Sequence, residues 1–237
     1  MEQTIQVKWG GKTTPVKKGT VLRELFSIPL DPGSPLIVAA KVNNRIRELT
    51  YPLEMDCKVE PVDLSMKDGE RIYTRSLTFV FIRACREVFP DCTVSVEHSF
   101  GNGLYCEVHG RITLTPRQVH RIEQQMREII KRNEPFQKTE VSREEAEAIY
   151  RKMRFSDKSK ILAYRPEDTI SLYQCGWMTD YLYGYGAFYR VPEAFWPEVL
   201  SSRCHSAVSF HGRDKPFAAF SGQSQIVQGL PAGRKVV

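Results

Sequence analysis

Five histidines, six cysteines, a Gly-Gly-Lys-Thr quartet and a run of aromatic residues around one aspartate are the parts of this 237-residue chain that could do chemistry. His98, His109, His120, His205 and His211 never stand four apart, the spacing that puts two metal ligands on one face of a helix. The cysteines (Cys57, Cys85, Cys92, Cys106, Cys175, Cys204) include no C-x-x-C pair, so they read as plain thiols and no metal or cofactor is expected. Gly10-Gly11-Lys12-Thr13 would need a further glycine five positions before Gly11 to cradle a phosphate, and Gln6 stands there. With no G-x-G-x-x-G either, a kinase site is excluded, and the glycine pair reads as a hairpin turn. His98 precedes a glycine-containing turn, where an imidazole can meet a ligand in a cleft. Tyr173, Trp177, Tyr181, Tyr183 and Tyr185 surround Asp180, and such a stretch either stacks on a base or packs a core. Lys12, Lys17, Lys18, Arg23, Lys41, Arg45 and Arg47 form either a phosphate-facing patch or an ordinary solvated surface.

These residues need elements to hold them. IQVKW and KTTPV alternate around Gly10-Gly11 as a hairpin, and TVLRELFSI reads as a short helix capped by Thr20. LIVAAKVNN, RIREL and CKVEPVDL follow as strands, the order of a β-grasp unit within an α+β fold. The polar SMKDGE marks a domain boundary near residue 65, and Ser76 is placed as the cap of an apolar helix ending before Pro90. CTVSVEHSF and LYCEVHGRITL form a second hairpin around Gly101-Asn102-Gly103. Thr115-Pro116 opens an amphipathic helix, and Ser142 with Glu145 forms a capping box for the next. DKSKILAY and TISLYQCGW then add a short helix and a strand, and residues 186–237 keep no period and are expected to be mostly disordered or poorly packed.

The chain is 41% apolar and 26% charged, which suits a folded core, and its net charge of +6 permits an anionic partner such as RNA or a nucleotide. No apolar run is long enough to span a membrane, and the N-terminus lacks a signal-peptide core, so a cytoplasmic location with no membrane partner is expected.

IQVKWGGKTTPVKKGTVLRELF followed by VAAKVNNRIRELTYPLEMDCKVEPVDL resembles the TGS domain that opens threonyl-tRNA synthetases. RIYTRSLTFVFIRACREVFP, GNGLYCEV and LYQCGWMTDYLYG resemble the editing domain that follows it, and more closely the same pair of domains in a bacterial uridine kinase-like (nucleoside kinase) family. The resemblance covers residues 1 to about 185. It implies a TGS unit at 1–65, an editing-like α+β unit at 66–185 and an unrelated tail at 186–237.

The synthetase editing site carries H-x-x-x-H on its first helix and C-x-x-x-H near its last strand; the matching positions here are Arg75 and Phe79, then Leu182 and Gly186. Phenylalanine and leucine neither ligate a metal nor relay a proton, so no catalysis is expected. The resemblance therefore implies the non-catalytic, ligand-binding or regulatory N-terminal region of a uridine kinase-like protein whose kinase domain is missing. Its cleft would lie near Arg75, His98, Tyr105, Asp180 and Tyr183 and take a nucleotide, nucleoside or RNA. The alternatives are a TGS-mediated RNA or tRNA binder and, third, a residual deacylase using His98 or Cys175. A one-base shift near codon 185, with synonymous codons freely chosen, turns the tail into a V-P-S-T-G continuation like the family's, so a frameshift is expected there. The truncated second domain would then expose a sheet edge and favour self-association.

Overall fold

The computed structural model describes residues 3–26, 36–100, 103–112, 114–153, 155, 158, 162, 168–182, 197–201 and 207–212. Its first unit is a five-stranded sheet ordered β2-β1-β5-β3-β4. β1 (Thr4–Trp9) and β2 (Lys12–Lys17) form the expected hairpin, turned by Gly10 and Gly11 at φ +56° and +78°, angles that a side chain would oppose. α1 (Leu22–Leu25) is one turn long, and its cap is Val21 rather than Thr20. β3 (Ile37–Val42), β4 (Arg45–Arg47) and β5 (Cys57–Asp63) complete the sheet, with β5 parallel to β1 at its centre. This is the β-grasp arrangement that the alternation of hairpin, helix and strands implied.

The sheet is apolar on both faces. Ile5, Val7, Ala40, Cys57 and Val59 pack with Leu22 and Leu53 on the α1 side. Val38, Ala39 and Val62 instead join the core built around α2 (Lys67–Val88), with Ile72, Leu77 and Phe81 among their companions. α2 begins nine residues before Ser76, which sits inside it and donates from Oγ to the Ile72 carbonyl at 2.9 Å. SMKDGE, expected as a polar spacer, supplies the first turn instead. Gly69 permits this because a Cβ there would lie 1.9 Å from the Asp63 carbonyl oxygen. Two polar contacts reinforce the junction: Lys41–Asp68 at 3.4 Å, and the Tyr173 hydroxyl donating to Glu48 at 2.5 Å.

Beyond α2, β6 (Thr93–Phe100) and β7 (Gly103–His109) form the expected hairpin. α3 (Pro116–Lys131) and α4 (Arg143–Lys152) start at the expected Thr115 and Ser142, each with a complete capping box. β8 (Gln137–Ser142) was not anticipated, because QKTEVS carries no buried alternation; it pairs with β9 (Thr169–Cys175), which pairs with β10 (Met178–Tyr181). Within the tail, β11 (Pro197–Ser201) and β12 (Ala207–Gly212) extend the hairpin into a sheet ordered β11-β12-β7-β6. β12 takes up the backbone pairing that β7 offers. The rest of 186–237 lies outside the described residues, as does most of DKSKILAY. Among the described residues no helix is long and apolar enough to cross a membrane.

Candidate functional site

The β6–β7 hairpin presents the first group of expected site residues. A register shift between Val96 and His98 sets His98 opposite Tyr105, and the two rings stack with centroids 4.9 Å apart and planes 24° from parallel. A bulge of this kind re-aims side chains near a strand end. Beside the stack, Ser95 Oγ and His109 Nε2 lie 2.8 Å apart, and Glu107 approaches the same nitrogen at 3.8 Å. The ligand atoms of Glu97, Glu107 and His109 lie within 4.8 Å of one another, a set that could reach one divalent cation. Sequence spacing concealed this set because it spans two strands, and its exposure leaves every position open to water.

Asp180 sits elsewhere, on β10. It is 2% exposed, which bars direct contact with a ligand, and its carboxylate pairs with the Lys158 ammonium and accepts from the Tyr181 amide at 2.7 Å. Burial, then the neighbouring Asp180 charge, pushes the Tyr150 phenol well up, so it stays protonated. Phe155 joins these groups to a cationic rim: Lys158 Nζ lies 4.8 Å and Arg86 4.3 Å from its ring centre. Arg86 also lies 6.0 Å over Trp177. Lys158, Arg86 and Phe155 were missed in the sequence because Arg86 lies on α2 and the other two in the segment after α4, far from Asp180 along the chain.

The positions matching the synthetase ligands are filled by other chemistry. Phe79 is 1% exposed and meets Phe136 edge-on at 5.2 Å, so the second position of the first pair is core. Arg75, one turn earlier on α2, is half-buried. Leu182 packs against the main core, and Tyr183 and Gly186 lie outside the described residues. Cys175 is buried, which raises its thiol, and the Arg83 guanidinium 3.4 Å away only partly offsets this, an environment that disfavours the thiolate.

Arg83 organises this region. It is 2% exposed and held by Glu87 at 2.7 Å, Glu134 at 2.6 Å and the Cys175 carbonyl at 3.2 Å. Burial opposes its charge, but hydrogen bonds to Glu134 and Glu87 outweigh that and raise its affinity for the proton. Glu87 also accepts from Trp177 Nε1 at 2.8 Å. Of the basic patch, Lys18 pairs with Glu54 at 3.9 Å and Lys41 with Asp68, so both are partly neutralised.

No family model matches the chain. Among the curated proteins it is similar to the threonine–tRNA ligase of Desulforamulus reducens, 35% identical over 144 residues, which cover 60% of this chain and 23% of that protein. The threonine–tRNA ligase of Bacillus velezensis is 30% identical over 69% of this chain and 26% of its own length. That of a Geobacillus strain is 28% identical over 76% of this chain and 28% of its own. The chain spans about a quarter of the length of these relatives. It is thus related to threonyl-tRNA synthetases at moderate identity, and its α+β architecture agrees with the TGS and editing-like folds.

Proposed function

We propose that this chain is a tRNA-binding protein built from a TGS unit (1–65) and an editing-like unit (66–185), with no hydrolytic activity of its own. The observation that supports the lack of hydrolysis is Phe79 packed against Phe136, where editing chemistry would require an imidazole, and tRNA binding rests on the relatives and the charge. The similarity to threonine–tRNA ligases favours tRNA as the RNA, the net charge of +6 suits a polyanion, and tRNA places the protein in the cytoplasm. The His98–Tyr105 stack offers a base-binding platform, and Asp180 acts through Lys158 rather than by touching the ligand.

Fluorescence anisotropy with labelled tRNA, over a salt series from about 50 to 200 mM, tests the proposal. Affinity should fall linearly on a log–log plot, and seryl-tRNA should stay intact. No binding at low salt, or release of serine that His98→Ala abolishes, would overturn it. A second reading, the regulatory segment of a uridine kinase-like protein, rests on that family's shared lack of the four ligands. It predicts saturable uridine or ATP binding without salt-sensitive tRNA binding. Resequencing the gene across codon 185 decides whether the tail is read in frame.

A further inference from the structure

We propose that a cavity of about 340 Å³ in the β-grasp unit, between the β3–β4 turn, β4 and residues 51–57, binds a single phosphorylated nucleoside. Its lining includes the basic Arg45 and Arg47 together with the apolar or aromatic Tyr51, Leu53 and Met55. Among the described residues neither guanidinium has a carboxylate partner, and the Arg47 guanidinium carbon lies 4.7 Å over the Tyr51 ring, so its charge is met by an aromatic face and not by an anion. Glu54, the acidic residue of the lining, is engaged by Lys18 at 3.9 Å. An anion therefore meets two uncompensated, fork-shaped donors, the geometry that favours phosphate.

The apolar part of the lining sets the rest of the ligand. Met55 is 66% exposed and Leu53 forms the floor, so an apolar, flat group on the same molecule covers a methionine that otherwise faces water. The walls are fixed before any ligand arrives. Lys58 brackets Asn43, donating to its side-chain oxygen at 2.9 Å and accepting from its amide at 2.9 Å, while Leu53 accepts from Gly19 at 2.7 Å and donates to Thr20 at 2.9 Å. The volume lies at the low end for organic ligands, which fits one nucleotide and not a run of them. The nucleotide comes either free or as an unpaired residue of an RNA.

Equilibrium dialysis of the full chain against AMP, inorganic phosphate and a short single-stranded RNA tests this. Saturable one-to-one binding of AMP, or of the RNA alone if the source is polymeric, should weaken about tenfold in Arg45→Ala and in Arg47→Ala, with phosphate alone binding more weakly. Among the described residues neither arginine has an ion-pair partner, so Arg45→Ala should melt like the parent and Arg47→Ala should lose only its contact with the Tyr51 ring. The inference fails if neither AMP nor the RNA distinguishes parent from variants up to about 1 mM, or if phosphate binds as tightly as AMP. tRNA binding that survives in the double variant, with no AMP binding, sinks the cavity and leaves the tRNA reading standing. AMP binding without tRNA binding does the reverse.

Discussion

Replacing Gly176 by alanine should destabilise the protein by about 2.5–5 kcal/mol, because the added Cβ would crowd the Arg83–Glu134 pair. Gly176 has φ +58°, and a left-handed residue with a Cβ costs about 1–2 kcal/mol. That Cβ would lie 2.3 Å from Glu134 Oε2 and 2.6 Å from Arg83 Nη1, closer than real atoms approach. The guanidinium must then give up its hydrogen bond to Glu134, a charge-assisted contact worth about 1.5–3 kcal/mol. Urea unfolding of the parent, Gly176→Ala and Gly176→Asn separates the two contributions. Asparagine tolerates the left-handed angle but brings the same Cβ, so it should recover about 1 kcal/mol and no more. Full recovery with asparagine, or a loss below about 1 kcal/mol with alanine, would refute the claim that Gly176 exists to admit Arg83.

Glu87 is partly buried, yet its hydrogen bonds from Arg83 and Trp177 hold its carboxyl below the ordinary 4.5. A depressed carboxyl contributes stability that is complete above its unfolded value and lost as pH falls through the folded one, so thermal midpoints of the parent and Glu87→Gln should converge from roughly pH 5 to 3. Parallel curves would contradict this. Lys158→Met strands Asp180 without its partner and should cost about 2–3 kcal/mol in urea, less than a fully buried pair because Lys158 is 30% exposed. The double change Arg75→His with Phe79→His should release no serine from seryl-tRNA and should lower the melting temperature, since Phe79 is a core residue. Burial raises the thiols of Cys85, Cys92 (to about 11) and Cys106 (to about 12), so mass spectrometry after brief iodoacetamide treatment near neutral pH should find all three unmodified until denaturant is added.

Elements with strong local signals were legible in the sequence. The Gly10-Gly11 turn, the Thr115 and Ser142 caps and the β6–β7 hairpin each follow from a few adjacent residues. The start of α2 was not, because Met66 makes no side-chain cap and Ser76 imitates one from inside the helix. β8 escaped because an edge strand of exposed polar residues has no period to detect. At the candidate site the vacancy at Phe79 could be read from the family pattern alone, whereas the surroundings of Asp180 could not. Lys158, in the segment after α4, reaches it across 22 residues, and Arg86 of α2 meets the Phe155 ring beside Lys158.

Val38, Ala39 and Val62 belong by sequence to the β-grasp unit and by packing to the core of α2. A cut at residue 65 would therefore divide one hydrophobic interior between two fragments. The molecule's two units should melt in a single cooperative transition, and neither half should keep its full protection from hydrogen exchange when produced alone.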